Sequence, residues 1–348
     1  MKDFLGYDEN DFPIGELPSE DAILGRVIEE HRERYFVMTE QGVFEAGVTG
    51  RIMYTSESKD AFPAVGDWVL LSPMDDSEGI IHQILPRKTL LRRRSKNKKA
   101  KEQVIAANID TAFVVMSGNE DFSLNRLERY LTIIYDGGVK PVIILNKTDL
   151  FNEEEVQEFV NEIKERHPDA DLIWTSALTE KGLKYIEEHL IAGRTYGFVG
   201  SSGVGKSSLI NRLTGGERQK VDHISDATDK GRHTTTYREL IELENGSFLI
   251  DTPGMREVGL SATDAGLEET FADIFELALH CKFRDCSHTS EPGCAVLKAV
   301  EDELLQQGKL DNFQHLKRES DYYQMDDYEK RVKDRSFTKM IKEVKRVK

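Results

Sequence analysis

Residues 200–208 read GSSGVGKSS and fit the pattern G-x-x-x-x-G-K-[ST]. Each residue type has a reason in phosphate chemistry. Gly203 and Gly205 let the backbone wrap a phosphate chain closely and turn its N–H groups toward it. Lys206 would place a cation at the β- and γ-phosphates, and the Ser207 hydroxyl is a hard oxygen ligand for Mg²⁺. The segment follows the apolar run TYGFVG (195–200) and opens a helical stretch over 206–214. Unpaired N–H groups and the positive end of a helix dipole would therefore face the anion. The expected phosphate-binding set is Gly200, Ser201, Ser202, Gly203, Val204, Gly205, Lys206, Ser207 and Ser208.

Three further stretches suit a purine nucleotide. NKTD (146–149) follows the apolar run VIIL. An aspartate at position 149 can accept from both N1–H and the 2-amino group of guanine. Adenine offers neither, and the unmatched carboxylate would reject it. Asn146 would bind the purine edge, the Lys147 stem would cover the ring, and Thr148 completes the motif. TSA (175–177) would supply a backbone N–H for guanine O6, from Ala177 beside Ser176. DTPG (251–254) sets Asp251 at a strand end near the Mg²⁺ and the Gly254 N–H toward a γ-phosphate.

Between the glycine-rich loop and DTPG lies GRHTTTYREL (231–240). One of Thr234, Thr235 or Thr236 would complete the Mg²⁺ shell when a γ-phosphate is present, and we favour Thr235. Met255 stands after DTPG, where many GTP hydrolases carry a Gln that orients the attacking water. A thioether cannot do that, so unaided hydrolysis is expected to be slow. His233, beside the switch threonines, is the candidate catalytic group alongside Thr235 and Lys206.

A second kind of chemistry sits at Cys281-x4-Cys286-x-His288-x5-Cys294. These are all the cysteines of the chain, within one short stretch. Potential thiolates and one imidazole at this spacing suit a closed tetrahedral Zn²⁺ site, and four protein ligands leave no position open for catalysis. The stretch has few apolar residues, so metal binding would supply folding energy, and chelation should loosen it.

These residues need a scaffold. The chain has 348 residues, 63 acids against 47 bases and a formal net charge of -16. That length allows two or three domains. No apolar run approaches the ~20 residues of a membrane span, and the acidic N-terminus lacks an apolar signal core, which favours the cytoplasm. Short β-rich runs over 21–90 suggest a small β-barrel. From 103 the pattern alternates strand and helix, with TAFVVMS (111–117), KPVIILN (140–146), DLIWTSA (171–177), TYGFVG and SFLID (247–251) as buried strands. Helical stretches over 123–137 and 152–166 separate several of them, which implies a mostly parallel covered sheet. The last part is helical and charged.

The guanine motifs precede the phosphate loop, the reverse of the usual order. A sheet tolerates a different cut in its chain where the old termini lie close together. In this order of motifs the chain resembles the circularly permuted GTPases of ribosome assembly, the RsgA (YjeQ/YloQ) family, over nearly its whole length. The resemblance implies an N-terminal OB-fold β-barrel, a central α/β circularly permuted P-loop GTPase domain and a C-terminal, mostly helical zinc-binding domain. The expected boundaries are a flexible arm over 1–20, the barrel over 21–90, a basic linker over 91–102, the GTPase domain over 103–260 and the zinc-binding domain over 261–348.

It also implies GTP/GDP with Mg²⁺, one structural Zn²⁺, late maturation of the small ribosomal subunit, contact with 16S rRNA and with other assembly factors, and a monomer. The alternative is a regulatory G protein with a protein partner and no RNA. The block RKTLLRRRSKNKKAK (87–101) holds nine bases and no acid in this acidic chain. We read it as part of an RNA-facing surface, together with the basic tail over 330–348.

Overall fold

The computed structural model describes residues 4–15, 17–31, 34–55, 61–94, 102–119, 122–216, 238–251, 264–325, 328–330 and 332. Two compact units divide at Gly259/Leu260. None of the described helices is long and apolar enough to cross a membrane.

The first unit begins with a closed barrel. Its strands are β1 (Ile23–His31), β2 (Arg34–Thr39), β3 (Gly42–Val48), β4 (Trp68–Pro73) and β5 (Glu78–Ile84), with helix α1 (Gly50–Thr55) between β3 and β4. They close in the order β1-β2-β3-β5-β4-β1, and only the β3–β5 pair is parallel. Alternation fills the interior: Tyr35 and Val37 of β2 point in beside Val27, Phe44, Val69, Leu71 and Ile81. This is the OB-fold barrel that the resemblance implies.

Two expectations at the barrel's borders need correcting. In the flexible arm expected over 1–20, described residues 4–15 are anchored: Tyr7 and Phe12 are buried against Trp68, Leu70 and Leu85. Aromatic side chains within an acidic stretch supply the apolar area that holds it. The basic linker expected over 91–102 starts and ends in strand. β6 (Leu90–Arg94) and β7 (Glu102–Ala107) form an antiparallel hairpin, and Leu91, Ile105 and Ala106 enter the core of the following domain.

The α/β part contains β8 (Thr111–Ser117), α2 (Leu124–Asp136), β9 (Lys140–Asn146), α3 (Glu153–Arg166), β10 (Leu172–Trp174), α4 (Leu183–Glu187), β11 (Thr195–Gly200), α5 (Lys206–Leu213), β12 (Glu239–Glu242) and β13 (Phe248–Asp251). Strand order is β10-β9-β8-β11-β13-β12, all parallel except β12. One face is packed by α2 and α3 residues such as Leu127, Ile134 and Ile163, the other by Ile186, Leu209 and Ile210. Local sequence sets the helix starts. Ser123 caps α2 and Asn152 caps α3, with Glu155 closing a capping box.

Barrel and α/β sheet are joined through a buried guanidinium. Arg26 of β1 donates to Thr195 Oγ1 (2.6 Å) and Leu5 O (2.8 Å), and lies between the Trp68 and Phe248 rings. Burial, only partly offset by Asp110 and Asp67, lowers its pKa to about 10.

The second unit holds α6 (Asp264–Thr270), α7 (Ala272–Ala278), α8 (Ala295–Glu301) and α9 (Gln307–Gln324). Leu267, Phe271, Ile274, Val296, Leu310 and Leu316 form its core.

Candidate functional site

Three of the sequence motifs meet at the carboxyl ends of neighbouring strands, where open α/β sheets bind ligands. β9 ends at Asn146, and the chain turns through Lys147 at φ 63°. The Asn146 amide is buried and ties three loops together. Its Nδ2 donates to Val204 O of the phosphate loop (2.8 Å), and its Oδ1 accepts from Ala177 N–H (3.1 Å). Thr148 donates to Thr175 O through both its N–H (3.2 Å) and its hydroxyl (3.1 Å). The Ser176 hydroxyl donates to Asp149 Oδ1 at 2.5 Å, which fixes the carboxylate at the cleft.

The cleft has a volume of about 730 Å³. Asn146, Lys147, Asp149, Ala177, Gly205 and Ser208 line it, as expected. Sequence reasoning missed Leu150, Leu178, Asn211, Arg212, Gly215 and Gly216, which line it too. The Gly-Gly pair closing α5 was the available signal, because two glycines after a helix mark a place where backbone must lie close to something else.

The phosphate loop joins β11 to α5. Gly200 has φ 143°, and a Cβ there would lie 2.2 Å from Val115 O. Gly205 has φ 97°, and its Cβ would lie 2.2 Å from Asn146 Nδ2. Val204 is buried in the core, Ser202 and Gly203 are exposed at the loop tip, and Ser207 and Ser208 are half-buried in the first turn of α5. Lys206 Nζ donates to Gly200 O (2.8 Å) and Ser201 O (2.5 Å), folded over the loop that it would serve. A phosphate would compete with those carbonyls for the ammonium. The Ser201 hydroxyl accepts from Arg126 of α2 at 2.9 Å.

Asp251 ends β13, whose Ile250 pairs with Gly197 of β11, so the strand leading to DTPG runs beside the phosphate-loop strand. Gly254, His233, Thr235 and Met255 lie outside the described residues.

Gly205→Ala should therefore damage the base site as well as the phosphate loop. The new methyl forces the Asn146 amide away, which frees Val204 O and Ala177 N–H. Re-forming the two lost hydrogen bonds on binding, at ~1 kcal/mol each, predicts a fall in GDP affinity of about 30-fold, while the left-handed alanine costs the fold about 1–2 kcal/mol. Fluorescent-nucleotide titration checks this, and an unchanged Kd would contradict it.

In the second unit the metal candidates converge. Cys281 follows α7, Cys286 and His288 lie in the loop beyond it, and Cys294 caps α8. Their four ligand atoms lie within 4.8 Å of one another. Cys281 Sγ and Cys294 Sγ are 3.8 Å apart, and His288 Nδ1 lies 3.4 Å from Cys294 Sγ and 3.7 Å from Cys281 Sγ. A tetrahedron with Zn–S near 2.3 Å has S–S edges of about 3.8 Å, so the donor set and its spacing fit Zn²⁺.

The α8 N-terminus favours thiolate here. Ala295 N–H donates to Cys281 Sγ (3.3 Å) and Leu297 N–H to Cys294 Sγ (3.4 Å). Burial is the largest influence on the Cys281 thiol and raises it, but the Ala295 and Val296 N–H groups together with the Cys294 and Cys286 side chains outweigh burial and hold it low. Burial wins at Cys286 and pushes its thiol up to about 11. Glu291 gathers the Ser287 hydroxyl and the N–H groups of Ser287, Ser290 and Thr289, which hold its carboxyl far below the usual range and pin the loop between the ligands.

Comparison with known proteins adds an independent finding. The family model for the RsgA GTPase matches residues 84–261. Small ribosomal subunit biogenesis GTPase RsgA 2 of Lactiplantibacillus plantarum is 47% identical over 300 residues, spanning 86% of this chain and 84% of that one. RsgA 1 of Bacteroides thetaiotaomicron is 38% identical over 343 residues, 98% and 96% of the two chains. Among solved structures, YjeQ of Thermotoga maritima matches with a TM-score of 0.65 at 27% identity, over 86% of this chain and 98% of that one. YloQ, a circularly permuted GTPase, matches with a TM-score of 0.63 at 27% identity, over 90% and 100%. The reversed order of guanine and phosphate motifs, their convergence on one cleft and these matches lead to one conclusion: the chain belongs to the RsgA GTPase family.

Proposed function

We propose that this protein binds GTP in the cleft between NKTD, TSA and the phosphate loop, hydrolyses it to GDP and phosphate, and thereby serves late assembly of the small ribosomal subunit. The observation that carries the nucleotide reading is the Asn146 amide. It bonds Val204 O and Ala177 N–H at once, so the base-reading and phosphate-reading loops share one anchor. Asp149 reads N1–H and the 2-amino group, the Ala177 N–H, shared with Asn146 Oδ1, reads O6, and the Lys147 stem covers the ring. Lys206 leaves the loop carbonyls for the β- and γ-phosphates. Ser207, with Thr235, holds Mg²⁺, which neutralises charge on the phosphates when bound. His233 positions the attacking water in place of the absent Gln.

The Cys281, Cys286, His288 and Cys294 set holds a structural Zn²⁺. The subunit role rests on the family and on the barrel, since OB-folds are common RNA platforms. The basic block is only partly available for RNA. Arg87 donates to both carboxylate oxygens of buried Asp67 (2.8 and 2.6 Å), and Lys88 pairs with Asp11 (2.7 Å). Arg93 donates to Gln103. Residues 95–101, outside the described set, carry most of the remaining charge and are the segment that we assign to 16S rRNA.

Co-sedimentation with purified small subunits across a salt series tests the RNA reading. Binding should weaken steeply with salt, and neutralising Lys96, Lys98, Lys99 and Lys101 should flatten the slope without changing GDP affinity. GTP-dependent binding to a protein partner, with no subunit co-sedimentation, would favour the regulatory G protein instead.

A further inference from the structure

We propose that Arg212 is a positioning residue for guanine recognition, holding Ala177 in register with the phosphate-loop helix; this rests on the guanine reading of NKTD and TSA given above. No motif assigns a role to this residue. It lies on α5, the helix that opens with Lys206, and lines the cleft. Its Nε donates to Ala177 O at 3.1 Å, and its Nη1 pairs with Glu180 Oε1 at 2.7 Å.

The Ala177 residue is thereby held from two sides. Asn146 Oδ1, at the end of β9, takes its N–H, and Arg212, on α5, takes its C=O. The N–H lies on the peptide before Ala177 and the C=O on the peptide after it, so the two anchors fix the residue from both sides, and guanine O6 reaches that N–H by sharing it with Asn146 Oδ1. The rest of the loop is built to present it. The Thr175 hydroxyl and Ser176 N–H both donate to Lys181 O (2.8 and 2.9 Å), closing a tight turn over 175–181. Within that turn Glu180 adopts φ 62°, a left-handed conformation that a non-glycine residue takes only where its surroundings enforce it. There its carboxylate reaches Arg212 and aims the guanidinium.

The two contacts use different donors of one planar fork. A lysine can satisfy the carboxylate or the carbonyl, but it does not reproduce both directions. Arg212 thus couples the helix that reads phosphate to the residue that reads the base. Arg212 and Glu180 are themselves exposed, so their ion pair adds little to stability, and the hold on Ala177 is the larger effect.

Nucleotide analogues separate this role from general support of the fold. Inosine diphosphate keeps O6 and N1–H but lacks the 2-amino group, so the GDP:IDP affinity ratio reports Asp149. 6-Thio-GDP keeps N1–H and the 2-amino group but offers a weak acceptor at position 6, so the GDP:6-thio-GDP ratio reports the Ala177 N–H. Arg212→Ala should weaken GDP binding by about 5- to 10-fold and bring the GDP:6-thio-GDP ratio close to one, with the GDP:IDP ratio unchanged. Arg212→Lys should show the same loss in the thio ratio. Glu180→Gln, which leaves the cleft lining intact, should show it at reduced size. An equal loss for all three nucleotides, or no loss for GDP, overturns the proposal. A wild-type protein with no preference for GDP over IDP would instead overturn the guanine reading itself.

Discussion

Asp149→Asn is expected to lower affinity for GTP and GDP by at least about 100-fold and to create affinity for xanthosine nucleotides. The structure gives the direction of the effect. The Ser176 hydroxyl donates to Oδ1 at 2.5 Å, and an asparagine that still accepts from it keeps its oxygen on that side. Its amide nitrogen then takes the cleft-facing position. On guanine this sets a donor against the N1–H and 2-amino donors, and the buried mismatch costs more than a simple loss of contact. Xanthine carries a carbonyl at C2, which accepts from that same nitrogen. Measuring Kd for GDP and xanthosine diphosphate on both proteins checks the prediction. Parallel losses for both bases would mean that Asp149 supports the loop without reading the base.

The second large effect concerns the C-terminal unit. Cys294→Ala should abolish stoichiometric zinc and lower the melting temperature of that unit by ~10 °C or more. Cys294 has two structural jobs. It is buried in the helical core, and its sulfur caps the first turn of α8. Cys281 and Cys286 pack against the same core, so the metal cluster is the edge of a hydrophobic assembly centred on Phe271, Ile274, Leu310 and Phe313. Loss of metal should thus loosen the 281–294 loop and α8 first, while contacts between α6 and α9 persist. Hydrogen exchange on the protein with and without chelator, alongside metal analysis, distinguishes this from uniform unfolding. Full zinc content in the variant would mean that the site is not Cys₃His. Nucleotide affinity should not change, because the described residues that line the cleft all belong to the first unit.

Much of the α/β architecture was legible in the sequence because its signals are local. The strands at 111–117, 140–146 and 195–200 are apolar runs bounded by polar turns, and each forms with those bounds. The helix expected over 152–166 forms as Glu153–Arg166 because Asn152 and Glu155 cap it reciprocally. DLIWTSA, expected as one strand over 171–177, pairs only through Leu172–Trp174. Thr175 and Ser176 then turn away to meet Lys181, a choice dictated by contacts outside the strand.

Long-range partners explain the other misses. Nothing in the acidic N-terminus announces that Tyr7 and Phe12 find Trp68. The basic block reads as one solvated surface until Asp67 and Asp11 come to Arg87 and Lys88. The cleft shows the same division. Asn146, Asp149 and Lys206 announce themselves by motif, whereas Arg212 and Leu178 reach the cleft only through tertiary packing of α5 and the loop after β10.

The central claim is that this chain is a GTP hydrolase that works on the small ribosomal subunit. Its most direct test is steady-state GTP turnover with and without purified small subunits, with Lys206→Ala as the control. Because Met255 stands where a water-orienting Gln would be, turnover should be slow alone and rise at least about tenfold with subunits. It should stay at background in the variant. Turnover that ignores the subunits, or that survives removal of the Lys206 ammonium, would contradict the account.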